Sequence, residues 1–525
     1  MKFKHLLREL GESALVLSGA ALTVKLLGMI YKIPLTYILG AEGMGYFNSA
    51  YTIYGFFYTV CATGVPKAVT IFIKQEEACD GDGLAELVYK KTRNFFAAFG
   101  AFATLLYILL ARPLSYLIGN SASLYSIFSI GPSIFFVVLG GVARGYLAVK
   151  GRFFDIAFSQ LIEAASKLVF GLAFALYGYK VSLPIPLISG ASILGITLGS
   201  ALSALYLLLR IKSFKPQDKT GQKMILDTQY IVRGVLKIGA PITLSASFLS
   251  LAAVIDLGII MRCLSGIGYS EAEASVEYGV FTTLAIPMLM LVSAVVTPIC
   301  IPLLPRLTEI NRNGDSAAFS CELGSAIGKM CLICVPSAIC FALFPFDILD
   351  ILFSPQDSIL GGELLALISP SVILLPVLTA VNTALEASGR IGSTVASLIV
   401  GSVFKSVIGI YLISTPAVGI HGAAISTTAS YLVSLIYSTV SLVQLKLGRG
   451  ILVNFAVPLA LSATAFLPVY MLIYLSNPLN NHTVNVVLSG GLGALLYGTF
   501  LFIFLRMKNK SENFSSKYTK QRDDI

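Results

Sequence analysis

Residues 13–40 read SALVLSGAALTVKLLGMIYKIPLTYILG, and AEGMGY follows at 41–46. The stretch is apolar and long enough to cross a bilayer, which takes about twenty helical residues. It nevertheless carries two lysines, Lys25 and Lys32. Their spacing is about two helical turns, so both project from the same face. With a rise of about 1.5 Å per residue, Lys25 falls near mid-depth and Lys32 nearer the far end. An ammonium group in hydrocarbon is costly. Both lysines are therefore expected to face a wet cavity inside a helix bundle. For Lys32 the alternative is a stem that snorkels to the interface.

The rest of the chain repeats this apolar character. Mean hydropathy is +0.84, 56% of the 525 residues are hydrophobic and 12% are charged. This composition implies an all-α polytopic membrane protein; a β-barrel would show short alternating segments. About fourteen spans are expected, near 13–39, 47–73, 94–110, 122–148, 156–177, 186–209, 238–261, 280–304, 326–346, 360–385, 392–413, 423–443, 452–474 and 484–505. The first is too long for a cleaved signal peptide and is expected to stay as a span. Several spans contain proline, among them Pro34, Pro66, Pro132, Pro287 and Pro336. Kinks of that kind are tolerated where neighbouring helices or water satisfy the freed backbone groups.

Several function classes drop out. The net charge of +10 comes from short loops between apolar runs, a pattern of membrane topology rather than of a nucleic-acid groove. Cys331 and Cys334 have CxxC spacing but no second pair and no histidine nearby, which fits apolar packing better than zinc or redox chemistry. The chain offers no phosphate-binding loop, nucleophile elbow or paired catalytic carboxylates, so neither enzyme activity, a metal nor a cofactor is expected.

Positive charge sets the expected orientation. The N-terminus, the even-numbered loops and the C-terminal tail hold 28 of the 37 lysines and arginines, and the odd-numbered loops hold only Arg112, Lys180 and Arg262. The positive-inside rule then places both termini in the cytoplasm. The remaining cations, Lys25, Lys32, Lys67, Arg144, Lys167 and Lys405, fall inside spans.

An internal repeat is also visible. Gly151-Arg152 precedes span five and Gly389-Arg390 precedes span eleven, and Lys167 and Lys405 follow their arginines at the same distance. Gly190-Ala191-Ser192-Ile193 in span six matches Gly422-Ala423-Ala424-Ile425 at span twelve. A period of six spans implies two pseudo-symmetric six-helix bundles that enter the membrane the same way, a transporter plan with the site between the halves. The expected parts are an N-terminal bundle at 1–210, a basic cytoplasmic linker at 211–237, a C-terminal bundle at 238–445, two extra helices at 446–506 and a polar tail at 507–525.

The intramembrane cations are the candidate substrate-binding residues, because a cavity with excess positive charge suits an anion. Lysine binds phosphate as a point charge without demanding one geometry. Lys67 and Arg144 lie near span ends, where snorkelling is the alternative. The intramembrane acids are Glu163, Asp256 and Glu386, each readable as a coupling site or as a structural ion-pair partner. Glu163 and Lys167, spaced i,i+4, are expected to pair on one helix face. Asp256 and Arg262 are expected to fix a loop near the outer end of span seven.

Gly40-Ala41-Glu42-Gly43-Met44-Gly45-Tyr46, Gly64-Val65-Pro66, Arg144-Gly145-Tyr146, Ser159-Gln160-Leu161-Ile162-Glu163, Pro241-Ile242-Thr243-Leu244 and Gly419-Ile420-His421-Gly422 occur in this order. Together they resemble the stage V sporulation protein B family. That family is the polysaccharide-exporter branch of the multidrug/oligosaccharidyl-lipid/polysaccharide superfamily, which also holds lipid II flippases. The resemblance runs to about residue 443. It implies two six-helix bundles around a central cavity, two further helices and alternating access, in a bacterial cytoplasmic membrane. It implies as substrate an anionic polyprenyl-diphosphate-linked saccharide, a precursor of peptidoglycan or another envelope polysaccharide. Membrane lipid and polysaccharide-synthesis enzymes are the implied partners, and nucleic acid is not. Two departures stand out: lysines occupy span one where relatives often have arginine, and Leu147-Ala148 replaces a common Gln-Gly. The other functions considered are a cation-coupled multidrug exporter, which would favour acids in the cavity, and a non-transporting scaffold, which needs no mid-span lysines.

The charge distribution predicts that reporter fusions placed after Asn120 and after Tyr269 read out as external. An internal readout at either position breaks the span count.

Overall fold

The computed structural model describes residues 2–80, 84–213, 227–353, 355–445, 453–469, 471 and 488–503, the backbone alone being described at 2–18, 22, 77–80, 84, 245, 355–357 and 453–459. Every regular element among them is helical. In chain order they are α1 (Lys2–Tyr58), α2 (Gly64–Asp80), α3 (Leu84–Leu117), α4 (Leu124–Ile130), α5 (Ser133–Val149), α6 (Phe153–Lys180), α7 (Ile185–Lys212), α8 (Thr228–Gly266) and α9 (Glu271–Val280). There follow α10 (Ile286–Val296), α11 (Cys300–Arg312), α12 (Ser316–Leu343), α13 (Pro345–Leu352), α14 (Pro355–Ile368), α15 (Ser371–Ala387), α16 (Ile391–Ile413), α17 (His421–Val443) and α18 (Val453–Val469). The chain divides into two compact units, 1–287 with 402–426 and 288–401 with 427–525.

Backbone chemistry explains where the helices break. The continuous helical stretch Gly19–Glu76 has 58 residues, about 87 Å at 1.5 Å per residue and too long for one crossing of a core about 30 Å thick. Gly40, at φ 64° and ψ −179°, divides it. A side chain is strained in that conformation, and a Cβ at Gly40 would meet nothing within 4 Å, so glycine is needed for its backbone and not for space. Two wider π-turns, Thr59–Thr63 and Phe281–Ala285, have a different cause. Each lies just ahead of a proline, Pro66 or Pro287. Proline cannot donate to the carbonyl four residues back and crowds it, and that carbonyl belongs to Ala62 in the first π-turn and Thr283 in the second. Pro370 similarly bends the helices Ser358–Ile368 and Ser371–Ala387 by 42°.

In the first unit, small residues bring helix backbones together. A Cβ added to Gly45 would collide with the Ser275 backbone, and one added to Gly279 with Ala41, so the second half of α1 lies directly against α9. Gly195 touches Gly171 where α7 crosses α6, and Gly145 on α5 abuts the Pro66 carbonyl on α2. Lipid tails are as apolar as leucine, so close dispersion contact and interhelical hydrogen bonds replace the hydrophobic effect as the source of association. The second unit uses serine for the same purpose. Ser438 donates to Asn382 Oδ1 at 2.7 Å and Ser434 to the Ser397 carbonyl at 3.0 Å. Phe344, Ala465, Phe466 and Tyr497 form a buried cluster there, and the Tyr497 hydroxyl donates to the Leu332 carbonyl at 2.8 Å.

The repeated Gly-Arg pairs adopt the same local structure. Gly151 has φ 69° and Gly389 has φ 77°. Arg152 N–H donates to the Leu147 carbonyl at 2.9 Å, and Arg390 N–H to the Leu385 carbonyl at 2.9 Å. Both are left-handed helix caps of the Schellman kind, closing α5 and α15 hydrogen bond for hydrogen bond.

Ten helical stretches among the described residues are long and apolar enough to cross a membrane, or eleven with the bent pair counted as one span. The first two expected spans are merged into the single stretch broken at Gly40. Expected spans thirteen and fourteen are represented by Ala460–Val469 and Leu488–Ile503, both shorter than a crossing. The full fourteen are therefore not reached within the described residues. Residues 214–226 of the basic linker and all of the tail 507–525 lie outside them.

Gly40→Ala is expected to destabilise the protein by about 1–3 kcal/mol through backbone strain. Gly28→Ala, at a position in α1 with equally open space, is expected to be neutral or stabilising by up to about 1 kcal/mol. Thermal unfolding in detergent compares the two; equal shifts would remove the special role of Gly40.

Candidate functional site: a cationic track in the first unit

The first unit collects the six cations expected inside spans: Lys25, Lys32, Lys67, Arg144 and Lys167 lie within 1–287, and Lys405 within 402–426. They differ sharply in what neutralises them.

Lys32 is held by dipoles. Its ammonium donates to Asn48 Oδ1 and to the Thr282 carbonyl, each at 3.4 Å. The Asn48 amide nitrogen donates to Thr283 Oγ1 at 2.7 Å, which turns the amide oxygen towards Lys32. Thr282 and Thr283 belong to the π-turn ahead of Pro287, so the irregular backbone is what presents this carbonyl.

Lys167 is held by rings. Its ammonium lies 5.2 Å from the centroid of Tyr31 and 4.9 Å from that of Tyr51. Tyr31 is fully buried and donates to the Ser192 carbonyl at 3.4 Å, which fixes one wall of this cage. Cation–π contacts of this kind contribute about 2 kcal/mol or more when desolvated. Neither Lys32 nor Lys167 has a carboxylate at ion-pair distance among the described residues.

Arg144 and Lys405 are paired. Arg144 bonds Glu163 at 2.9 Å, Ser203 at 3.1 Å and Ser159 at 3.4 Å, while Ser200 donates to the other Glu163 oxygen at 3.3 Å. The expected Glu163–Lys167 pair is therefore replaced. The planar guanidinium can serve the carboxylate and two hydroxyls at once, and Lys167 turns to the tyrosines instead. Lys405 meets Asp256 at 2.7 Å, joining α16 to α8. Asp256 is thus not a loop partner of Arg262, whose guanidinium donates to the Leu117 and Tyr116 carbonyls at the end of α3.

Lys25, Lys67 and Glu386 are exposed side chains. No hydrogen bond or ion pair of Lys25 or Lys67 is found among the described residues. Three parts of the arrangement escaped the sequence reading. Asn48, a lone amide in an apolar run, carried a signal. Tyr31 and Tyr51 carried none, because the rings become ligands only once α6 brings Lys167 over them. Nor was the cluster around buried Asp155 legible, where Arg152 at 2.8 Å, Arg210 at 3.0 Å and Tyr206 at 3.0 Å tie the start of α6 to the end of α7.

The Arg144–Glu163 contact is partly buried, so it should register in stability. A double-mutant cycle with Arg144→Ala and Glu163→Ala is expected to give a coupling energy of about 1 kcal/mol or more. Additive losses would mean that the two charges act independently.

Comparison with known proteins was consistent with this architecture. The chain is 21% identical over 444 residues to stage V sporulation protein B of Bacillus subtilis (strain 168), covering 81% of this chain and 82% of that protein. It is 20% identical over 430 residues to the lipid II flippase MurJ of the same organism, covering 79% and 78%. Among solved structures, the lipid II flippase MurJ in an inward closed conformation matches with a TM-score of 0.70 at 14% identity, covering 94% of this chain and 99% of that one. An inward-facing multidrug resistance MATE family transporter of the MOP superfamily matches with a TM-score of 0.62 at 13% identity, covering 81% and 95%. These likenesses describe the fold. A family model for polysaccharide biosynthesis proteins matches residues 10–311, more than half of the sequence, and the chain belongs to that family.

Proposed function

We propose that this protein is a flippase: a transporter that carries an anionic, polyprenyl-diphosphate-linked saccharide from the cytoplasmic to the outer leaflet of a bacterial membrane by alternating access, with both termini cytoplasmic. The observation that carries the reading is the neutral solvation of Lys32 and Lys167. Two ammonium groups are held inside a membrane bundle by an amide, a carbonyl and two rings, with no carboxylate at ion-pair distance among the described residues. Such a site keeps its positive charge available for a ligand, and a diphosphate matches it in sign and reach. Lys25, two turns from Lys32 along α1 and exposed, supplies a further charge for an incoming head group. The relatedness to a lipid II flippase and to stage V sporulation protein B supports the same class of cargo.

A cation-coupled drug exporter is less well supported. That chemistry calls for available carboxylates beside the site, but in the first unit Glu163 is held by Arg144 and Asp256 by Lys405. The same pairing bears on the driving force. A cytoplasm-negative potential favours outward movement of an anion by about 2.3 kcal/mol per charge per 100 mV. If the lysines neutralise the diphosphate, the loaded carrier crosses with little net charge, and the empty cationic site is then pulled back towards the cytoplasm by the same potential. Either way the cycle moves negative charge outwards.

In proteoliposomes loaded with a defined undecaprenyl-diphosphate-linked saccharide, an inside-negative potassium diffusion potential is expected to accelerate outward flipping with sodium absent and pH equal. Lys32→Ala and Lys167→Ala are expected to abolish flipping in folded protein, as is Lys25→Ala, whereas Lys25→Arg retains part of it. A rate that ignores the potential and follows a sodium or proton gradient would overturn the driving-force assignment and direct attention to Asp256, Glu163 and Glu386. Normal transport by the lysine variants would overturn the site.

A further inference from the structure

The second half of α1 carries Phe47, Tyr51, Tyr54 and Tyr58 at spacings of four, three and four residues, which place all four rings on one helix face. They form a continuous ladder. Phe47 and Tyr51 lie 6.3 Å apart and nearly parallel at 16°, Tyr51 and Tyr54 lie 6.1 Å apart, and Tyr54 and Tyr58 lie 5.8 Å apart. Ladders of this kind usually serve as core packing. Here the burial pattern differs: Phe47 and Tyr54 are buried, but Tyr51 is 42% exposed and Tyr58 is only half-buried. The two accessible rings are two turns apart, about 10 Å along the helix.

Polar groups flank the accessible rings at both ends. The Lys167 ammonium stands over Tyr51. Near Tyr58 stands the Arg144 guanidinium, which holds Glu163 at 2.9 Å. Accessible aromatic faces bordered by a few fixed charged groups are what a ligand with both apolar faces and polar edges requires. A pyranose ring has that character: its C–H bonds give an apolar face that packs on an aromatic ring, and its hydroxyls hydrogen-bond to guanidinium and carboxylate groups.

We propose that Tyr51 and Tyr58 are the saccharide platform of this site, with the Arg144–Glu163 pair meeting the sugar hydroxyls and Lys167 marking the end at which the diphosphate enters. The proposal rests on the flippase reading and deepens it. The cations recognise the phosphate that every such lipid carries, and the tyrosine ladder recognises the sugar. Tyr54, buried between the two accessible rings, positions them.

The test uses the full chain in nanodiscs and two probes: undecaprenyl diphosphate, and the same lipid bearing a disaccharide. The wild-type protein is expected to bind the disaccharide lipid about tenfold more tightly, the scale of one or two aromatic contacts. Tyr58→Leu is expected to remove most of that ratio while leaving undecaprenyl diphosphate binding unchanged, whereas Tyr51→Leu, which also strips one ring from Lys167, is expected to weaken both lipids, the disaccharide lipid more. Tyr51→Phe and Tyr58→Phe, which keep the rings, are expected to retain most of the ratio, and unchanged thermal unfolding confirms that the variants are folded. Lys167→Ala is expected to weaken both lipids alike. Equal wild-type affinity for the two lipids, or equal weakening of both by the leucine variants, overturns the platform and leaves the flippase reading standing. Failure of the wild-type protein to bind either lipid overturns both.

Discussion

The cost of a bare charge in a low-dielectric slab governs the interior of the first unit. A membrane bundle can place a cation at depth in three ways: beside a carboxylate, among neutral dipoles and rings, or with the head group reaching polar surroundings. This chain uses each. Arg144 and Lys405 take the first route, with Glu163 and Asp256. Lys32 and Lys167 take the second, and exposed Lys25 and Lys67 fit the third. The choice has a chemical consequence. A carboxylate at contact cancels the charge that a ligand would feel, whereas an amide, a carbonyl or an aromatic face lowers the cost of burial and leaves the net charge in place. The residues available to an anion can therefore be separated from those that hold helices together by asking what each one touches.

The helix breaks serve that chemistry. A regular α-helix uses its carbonyls internally and offers few to a neighbour. The π-turn ahead of Pro287 loosens this pattern, and the Thr282 carbonyl accepts from Lys32. Irregular backbone at membrane depth is tolerated where it is buried in protein or lines a cavity. Proline at 287 thus acts on the site from a distance of one helical turn, through the backbone alone. The close α1–α9 contact through Gly45 and Gly279 holds that π-turn beside Lys32 and Asn48.

Much of the architecture was legible in the sequence because it depends on local, periodic properties. Apolar run length gave most spans, and the two Gly-Arg pairs, read as markers of a repeat, turn out to be helix caps with the same backbone conformation. The mid-span lysines stood out because few lysines occur inside apolar runs. What could not be read depends on side chains that meet only in three dimensions. The i,i+4 rule favours Glu163 with Lys167, since it sees one helix at a time. It cannot weigh Arg144, which arrives on α5 with donors for Glu163, Ser159 and Ser203. The Asp256–Lys405 pair is further removed, with partners 149 residues apart. The Gly40 break was masked for a related reason: the run is apolar on both sides, and hydropathy does not register a φ of 64°.

The location of Lys405 carries the argument one step further. By chain position it belongs with the later helices, yet residues 402–426 group with the first unit, and its ammonium is bound to Asp256 there. Its counterpart in the repeat, Lys167, occupies the equivalent place after a Gly-Arg cap but lies on tyrosine rings instead of a carboxylate. Positions matched in the sequence repeat thus have different partners. One lysine is neutralised and ties α16 to α8, while the other keeps its charge beside an accessible aromatic face. Pairing one of the two with an acid leaves the uncompensated charge at Lys167 alone of the matched positions, so an anion drawn to this pair meets one cationic locus and not two.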